Sequence, residues 1–209
     1  MIAHPNSPLE VVDLATRQDP LTISLLAPAI AQNPPSLKQL AISYCGLVDD
    51  QVFPLIDALT QNTHLETLTM SNNPQLTDAF LIYLGHRLPR IRLTTLDLMY
   101  LHPSNGSEIA VETIFAGLRD NTHLTIFLLQ DSKGAFFAQK FGFYLNMNRG
   151  GRRALEERVP LTLWPLLLER AQNCSYYFCL ASGQPHAKLD SMYYLLRNQT
   201  ALWQQSNRE

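Results

Sequence analysis

Charged residues are scarce in this chain of 209 residues, and long apolar runs are absent. Only 16% of the residues are charged and the net charge is −2, so the chain lacks the basic field that nucleic acids and anionic membranes usually require. No stretch approaches the roughly 18 uninterrupted apolar residues of a membrane-spanning helix. Residues 1–8 also lack the cationic and apolar segments of a signal peptide. We therefore expect an intracellular, cytoplasmic protein that binds neither nucleic acid nor membrane.

Cysteine is also rare. Cys45, Cys174 and Cys179 are too few and too unevenly spaced for a disulfide framework. Cys174 and Cys179 allow a redox or metal site, but they lack the second pair of ligands that such a site needs, and a structural role is favoured. The chain contains no G-x-S-x-G elbow, H-E-x-x-H helix or phosphate-binding loop. We expect no enzymatic activity, no metal and no cofactor.

Leucine, in contrast, recurs at a fixed spacing. The segments that begin at Leu37 and Leu65 follow the pattern L-x-x-L-x-L-x-x-(N/C)-x-L, with Ile42 and Met70 at the third apolar position and one extra residue at the end of the second segment. The same apolar spacing begins at Leu9, Leu37, Leu65, Leu93 and Leu124. This pattern is the leucine-rich-repeat signature. Its apolar-x-apolar core predicts a short strand with one buried face.

The segments between these strands have helical spacing. Their apolar residues recur every three or four positions and define one face of a helix in each case: Val52, Leu55, Ile56, Leu59; Phe80, Tyr83, Leu84, Leu88; Val111, Ile114, Phe115, Leu118. We predict an α/β leucine-rich-repeat solenoid over residues 1–133, with parallel strands on its concave side and helices on its convex side. Residues 134–209 are predicted to form a helical capping module, with its second helix near 162–172 and its third near 188–199. Pro28 should kink or shorten the helix of the first repeat.

Repeats of about 28 residues with a true helix resemble the ribonuclease-inhibitor class of leucine-rich repeat, over residues 9–133. After the repeats, the segments 144–152, 159–166 and 192–197 are similar to the tails of leucine-rich-repeat proteins from diatoms and related algae. The resemblance implies only that such repeats end this way. The eight residues before Leu9 cannot cover the open end of a solenoid, so we also expect further repeats N-terminal to Leu9, or another surface over the first repeat.

The turns that precede the strands contain a recurrent Asn-Thr-His-Leu. Asn62 and Asn121 occupy the same phase, with Asn33 as a third version, and we expect asparagine there to adopt the left-handed conformation that ends helices. His64 and His123 then belong to turns rather than to a metal or acid–base site. Asn73 is expected to satisfy backbone groups of its turn, and Cys45 occupies the equivalent position one repeat earlier.

Strand residues that alternate with the buried ones should form a grid of small, mostly uncharged groups, which becomes apolar at its C-terminal end. This grid is the predicted partner-binding surface: Gln39, Ser43, Thr67, Thr69, Ser71, Thr95, Asp97, Met99, Tyr100, Ile126, Leu128. Exposed apolar residues bordered by polar ones are typical of protein interfaces. The alternative is that the C-terminal module folds over the apolar end. The Pro/Gly/Ser-rich insertion at residues 102–107 is a second candidate for partner contact.

These features favour a non-catalytic scaffold that binds another protein. Two alternatives remain open. Ran GTPase-activating proteins share this repeat class, which allows a regulator of a small GTPase by fold analogy alone. The segment Val159–Leu167 faintly resembles the opening helix of an F-box, which allows a ubiquitin-ligase substrate adaptor. Within the segment Asn146–Arg153, the basic residues Arg149, Arg152 and Arg153 could bind an anion, but a solvated or salt-bridged helix end is favoured.

Overall fold

The fold is taken from a computed structural model that describes residues 8–17, 20–101, 107–129, 135–155, 157, 159–173 and 187–199. The chain divides into two compact units, residues 1–137 and residues 138–209. Cys174, Cys179 and residues 102–106 of the predicted contact loop lie outside the described residues. The predictions made for them therefore stay predictions.

Five strands of the first unit form one parallel sheet, and their order in the sheet is their order in the chain. They are β1 (Val11–Asp13), β2 (Gln39–Ala41), β3 (Thr67–Thr69), β4 (Thr95–Leu98) and β5 (Ile126–Leu129). Gln39 pairs with Val11 and Thr67, Thr95 pairs with Thr67, and Ile126 pairs with Thr95. Neighbouring strands are thus aligned in the register of the leucine pattern, which confirms the prediction of one strand per repeat.

The central residues of the strands form one buried row. These residues are Val12, Leu40, Leu68, Leu96 and Phe127, all at most 9% exposed. Because the side chains of a strand alternate between its two faces, Ile42 continues the buried face two residues after Leu40. Full burial of one such leucine stabilises the fold by about 1.5–3 kcal/mol, which explains why the apolar positions of the pattern are kept in every repeat.

Parallel strands require a crossover, and one helix fills each crossover of the sheet. The helices are α1 (Pro20–Ala31), α2 (Asp49–Leu59), α3 (Asp78–Arg87) and α4 (Glu108–Asp120), with a short 3-10 helix at Leu88–Arg90. Each helix packs against the next one. The predicted apolar faces are buried, except that Tyr83 and Phe115 are only half-buried. Helix α1 runs through Pro28 to Ala31, so Pro28 does not end the helix, and the expected kink at Pro28 stays a prediction.

Polar side chains connect successive helices at the surface. The Thr77 N–H and hydroxyl both donate to the Asp49 carboxylate one repeat earlier, and the Ser107 N–H donates to the Asp78 carboxylate at 2.7 Å. The Asp57 carboxylate of α2 accepts from the Tyr83 hydroxyl at 2.6 Å and from Arg87 Nε at 2.9 Å. These two bonds hold the pKa of Asp57 below its ordinary value.

Two buried asparagines join neighbouring repeats in the turns before the strands. Asn62 Nδ2 donates to the Ile30 carbonyl at 2.9 Å, and its Oδ1 accepts from the Leu65 N–H at 2.8 Å. Asn121 likewise donates to the Leu88 carbonyl at 2.6 Å. Neither residue has a positive φ, so the predicted left-handed conformation is wrong for both, whereas Asn33, with φ 53°, adopts it as predicted. Since the repeated group is a buried side-chain amide, its role is to satisfy backbone groups of two repeats at once.

The second unit contains α5 (Ala135–Arg149), which begins at the end of the first unit, then α6 (Trp164–Asn173) and α7 (Ala187–Asn198). Short 3-10 helices lie at Arg152–Leu155 and Leu161–Leu163, so the second helix begins at Trp164 rather than near residue 162. The Trp164 ring is 1% exposed and packs in a core with Ala154, Ala171 and Leu195.

Candidate functional site

The predicted binding residues occupy the face of the sheet that points away from the buried row. One line across the strands contains Gln39, Thr67, Thr95 and Ile126, which pair in that order. The next line contains Thr69, Asp97 and Leu128. Ser43, Ser71 and Met99 form a third set, each two residues further along the sequence than the second line. Since paired strands lie about 4.8 Å apart, each line is a close row of side chains.

Exposure differs across this grid. Gln39 and Ile126 are exposed, whereas Thr67, Thr69 and Thr95 are half-buried. Ser43 and Ser71 are only 9% and 8% exposed, so the expectation that they are accessible to a partner is wrong. Their burial follows from the backbone ladder, which continues past the strands: the Tyr44 N–H donates to the Ser71 carbonyl at 3.1 Å. Small side chains suit these positions because neighbouring turns lie close together there.

Asp97 is tied into the sheet. Its Oδ1 accepts from the Ser71 hydroxyl at 2.6 Å and from the Met99 N–H at 3.0 Å. Asp13, three strands away, makes the same local bond, since its Oδ1 accepts from the Ala15 N–H at 2.9 Å. A carboxylate that accepts from the backbone two residues on stabilises a turn. We therefore assign Asp97 a structural role at the strand end.

The C-terminal end of the grid is apolar. Ile126 is 39% exposed, and Leu128, two residues further along β5, is half-buried. Met99 is also half-buried and lies two residues beyond Asp97, the partner of Leu128. Tyr100 follows Met99 and is 53% exposed. Together, Met99, Tyr100, Ile126 and Leu128 form what we call the apolar end of the grid. It combines accessible apolar area with a border of threonine hydroxyls, an arrangement that protein interfaces favour.

A row of left-handed residues borders the same edge of the sheet. Thr16, Tyr44, Asn72 and Tyr100 occupy the same phase in four successive repeats, and their φ angles lie between 57° and 67°. This conformation is disfavoured for residues with a Cβ, and asparagine tolerates it best. It carries the Tyr44 and Tyr100 side chains into solvent, 55% and 53% exposed. Sequence reasoning missed Tyr44; the signal that could have found it is its spacing of two repeats from Tyr100.

Asn73 and Cys45, which the sequence placed in the turns after their strands, both lie in buried turns. Asn73 is 0% exposed; its Nδ2 donates to the Ile42 and Met70 carbonyls, and its Oδ1 accepts from the Cys45 and Leu47 N–H groups. This confirms its predicted role. The buried Cys45 thiol donates to the Leu14 carbonyl at 3.2 Å, and burial raises the pKa of this thiol. A thiol with a raised pKa is a poor nucleophile, which agrees with a structural role.

The histidines and the basic segment show no reactive arrangement. The His64 and His123 N–H groups donate to Asn62 and Asn121, which confirms that both histidines belong to turns. No group of three or more His, Cys, Asp or Glu side chains within the described ranges could hold a metal ion. Arg153 pairs with Glu157, which confirms the salt-bridged helix end for that residue, and Arg152 is buried rather than solvated.

Among the described residues, no helix is long and apolar enough to cross a membrane. The segment compared with an F-box helix places Trp164 in the core of the second unit. The GTPase-regulator and ubiquitin-ligase alternatives stay predictions.

Comparison with solved structures shows the fold. The chain is similar to a tropomodulin C-terminal domain from Caenorhabditis elegans, with a TM-score of 0.64 and 14% identity over 76% of this chain and 95% of that chain. It is also similar to the structure of leiomodin-1 actin-binding site 2, with a TM-score of 0.63 and 14% identity over 75% of this chain and 90% of that chain. No protein-family model matches the chain, and no curated protein matches it.

These neighbours correct the resemblance drawn from the sequence. The assignment to the ribonuclease-inhibitor class, with a tail similar to those of algal proteins, is wrong, because the two similar structures described above are a tropomodulin and a leiomodin domain. The leucine spacing misled because any repeat that buries one strand and one helix favours a similar period. The spacing therefore reports the α/β repeat architecture but not the class of repeat protein.

Proposed function

We propose that this chain is a leucine-rich-repeat solenoid that acts as a non-catalytic scaffold and binds another protein through the apolar end of the grid. The observation that carries this proposal is the exposure of Ile126 and Tyr100, together with half-buried Leu128, which pairs with Asp97, and half-buried Met99 two residues beyond Asp97. Aromatic residues and methionine are enriched in interfaces. The threonine-lined remainder of the grid can exclude water around such a centre.

Two features of the first unit support a solenoid. The strands pair in chain order at the spacing of the sequence repeat. The side chains of Asn62, Asn73 and Asn121 each bridge the backbone of adjacent repeats. Both features are expected when each repeat contacts only its neighbours.

Actin is the first partner to test, since the leiomodin structure is described as an actin-binding site. The test uses the double variant Tyr100→Asn with Ile126→Thr. Asparagine suits the left-handed backbone at position 100, and threonine favours the strand at position 126, so both changes remove apolar surface with little effect on folding. Leu25→Gln is the matched control because Leu25 is 69% exposed on α1, away from the grid.

Binding is measured with purified actin by co-sedimentation and, in parallel, by affinity capture from the native organism followed by mass spectrometry. We expect the double variant to bind its partner at least about tenfold more weakly, as when interface anchors are lost, and Leu25→Gln to bind normally. Circular dichroism checks that all three proteins are folded. Equal binding by the double variant and the wild type would mean that the apolar end of the grid is not the binding surface, and would refute the proposal.

A further inference from the structure

Two exposed tyrosines mark another surface of the first unit, along the turns that follow the strands. Tyr44 and Tyr100 are 55% and 53% exposed and occupy the same phase two repeats apart, with half-buried Asn72 between them. We call these three residues the tyrosine ladder. All three have left-handed backbones, with φ angles of 57° to 59°. Because the two tyrosines share one backbone conformation at one phase of the repeat, their Cα–Cβ bonds leave the turns in similar directions.

The tyrosine ladder has a defined spacing. The Tyr44 N–H donates to the Ser71 carbonyl at 3.1 Å, and the Asn72 N–H donates to the Met99 carbonyl at 2.9 Å, so the hydrogen bonding of the parallel sheet continues into these turns. Neighbouring strands bonded in this way lie about 4.8 Å apart. The Cα atoms of Tyr44 and Tyr100, which belong to turns two strands apart, are therefore separated by about 10 Å.

The backbone of these turns does not favour tyrosine. A positive φ is disfavoured for bulky residues, whereas asparagine, the residue at position 72, tolerates it. Residues held in such disfavoured conformations concentrate at binding and catalytic sites. Neither ring is buried in a core, so packing does not explain the two tyrosines. Their position points instead to contact with a ligand.

The tyrosine ladder offers apolar ring faces and free hydrogen-bond donors. Within the described residues, its three side chains make no hydrogen bond with the rest of the protein. The residues directly before and after each ladder residue in the sequence are uncharged. The carboxylate of Asp97 is already occupied by the Ser71 hydroxyl and the Met99 N–H. A matching ligand is therefore uncharged and presents apolar groups together with carbonyl oxygens that need donors.

We infer that the tyrosine ladder binds a proline-rich segment of a partner protein in the polyproline II conformation. This conformation rises about 3.1 Å per residue and has three residues per turn, so prolines three positions apart lie about 9.3 Å apart on one face. That distance matches the separation of Tyr44 and Tyr100, and each ring can pack on one proline. The carbonyls of such a segment have no internal partners and can accept from the Asn72 amide. An α-helix cannot use this donor, because its carbonyls are already bonded.

The test uses the full chain and three fluorescently labelled synthetic peptides of equal length. The first has proline at every third position among alanines. The second has the same composition, with no two prolines three positions apart, and the third is an alanine-based helix with leucines two turns apart. Binding is measured by fluorescence anisotropy. We expect the first peptide to bind, and the other two to bind at least about fivefold more weakly.

Variants of the chain locate the binding. Tyr44→Asn removes one ring and suits the left-handed backbone, so it should weaken binding of the first peptide by about tenfold or more. Asn72→Gly also suits this backbone and removes the amide, which should weaken binding by about threefold. Tyr193→Asn is the matched control, because it removes a tyrosine that is 65% exposed on α7 of the second unit, and it should leave binding unchanged. Circular dichroism checks that each variant is folded.

The inference is overturned if the first peptide does not bind, if the second or the helical peptide binds as tightly, or if Tyr193→Asn weakens binding as much as Tyr44→Asn. Tyr100 belongs both to the tyrosine ladder and to the apolar end of the grid, so other positions separate the two proposals. Ile126→Thr should weaken capture of the protein partner and leave binding of the first peptide unchanged, whereas Tyr44→Asn should have the opposite effects. Failure of this inference is therefore distinguishable from failure of the grid proposal.

Discussion

Replacing Asn73 by alanine should destabilise the first unit more than any change on its exposed sheet face. Five backbone groups contact this buried amide: it donates to the Ile42 carbonyl at 3.0 Å, to the Met70 carbonyl at 2.8 Å and, more weakly, to the Ser71 carbonyl at 3.4 Å, and it accepts from the Cys45 N–H at 3.0 Å and the Leu47 N–H at 3.3 Å. A hydrogen bond contributes about 0.5–1.5 kcal/mol net, and more when its loss leaves a buried group unpaired. Allowing for water entry, we expect Asn73→Ala to lower the free energy of unfolding by about 3 kcal/mol.

Urea unfolding followed by circular dichroism measures this loss. With a slope near 2 kcal/mol per molar urea, 3 kcal/mol corresponds to a midpoint lower by about 1.5 M. Thr69→Ala is the matched control: it lies in the same repeat, is half-buried on the grid, and should lose less than about 1 kcal/mol. If both variants lost the same small amount, the amide would not be joining the repeats and the reasoning would be refuted.

Two further predictions concern backbone strain and pH. Thr16→Asn should raise the free energy of unfolding by about 0.5–1 kcal/mol, and the reciprocal Asn72→Thr should lower it by a similar amount. The reason is that both positions are left-handed (φ 67° and 59°) and asparagine tolerates that conformation better than threonine. Urea unfolding measures both changes, and changes of the same sign would contradict the prediction. Asp57→Asn should cost about 0.5–1 kcal/mol at neutral pH, since the exposed Asp57 carboxylate accepts from Tyr83 and Arg87. Because these partners lower the pKa of Asp57 from its ordinary value of 3.8, the stability that the carboxylate contributes is present above pH 3.8 and is lost as pH falls through the folded-state pKa. The difference in free energy of unfolding between Asp57→Asn and wild type should therefore shrink below about pH 4. A difference that stays constant with pH would contradict the assignment.

Most of the sheet could be predicted from the sequence. The leucine spacing predicts where β2, β3 and β4 lie and aligns Leu40, Leu68 and Leu96 in one row. Periodicity succeeds here because a strand and a helix that share one core must repeat their buried positions at the spacing of the fold. The helical faces follow for the same reason, apart from half-buried Tyr83 and Phe115.

The candidate site was only partly predictable. The exposure of Ile126 follows from strand alternation, but that of Tyr100 comes from its left-handed backbone, and the burial of Ser43 and Ser71 depends on how closely neighbouring turns approach. Tyr44 was missed because its residue type does not indicate a left-handed backbone. The buried position of Arg152 similarly depends on packing within the second unit.

By itself, the sequence determined that this chain builds repeated strand–helix units in parallel order, because the period of its apolar residues has to match the period of the buried core. Only the tertiary structure decided which polar groups are accessible, which asparagines bridge repeats, and how closely α3 and α4 approach each other at Gly85 and Gly117. Those properties depend on distances between residues about 30 positions apart, and no local pattern records such distances; a Cβ atom on Gly117, for example, would lie only 2.3 Å from the Gly85 carbonyl oxygen.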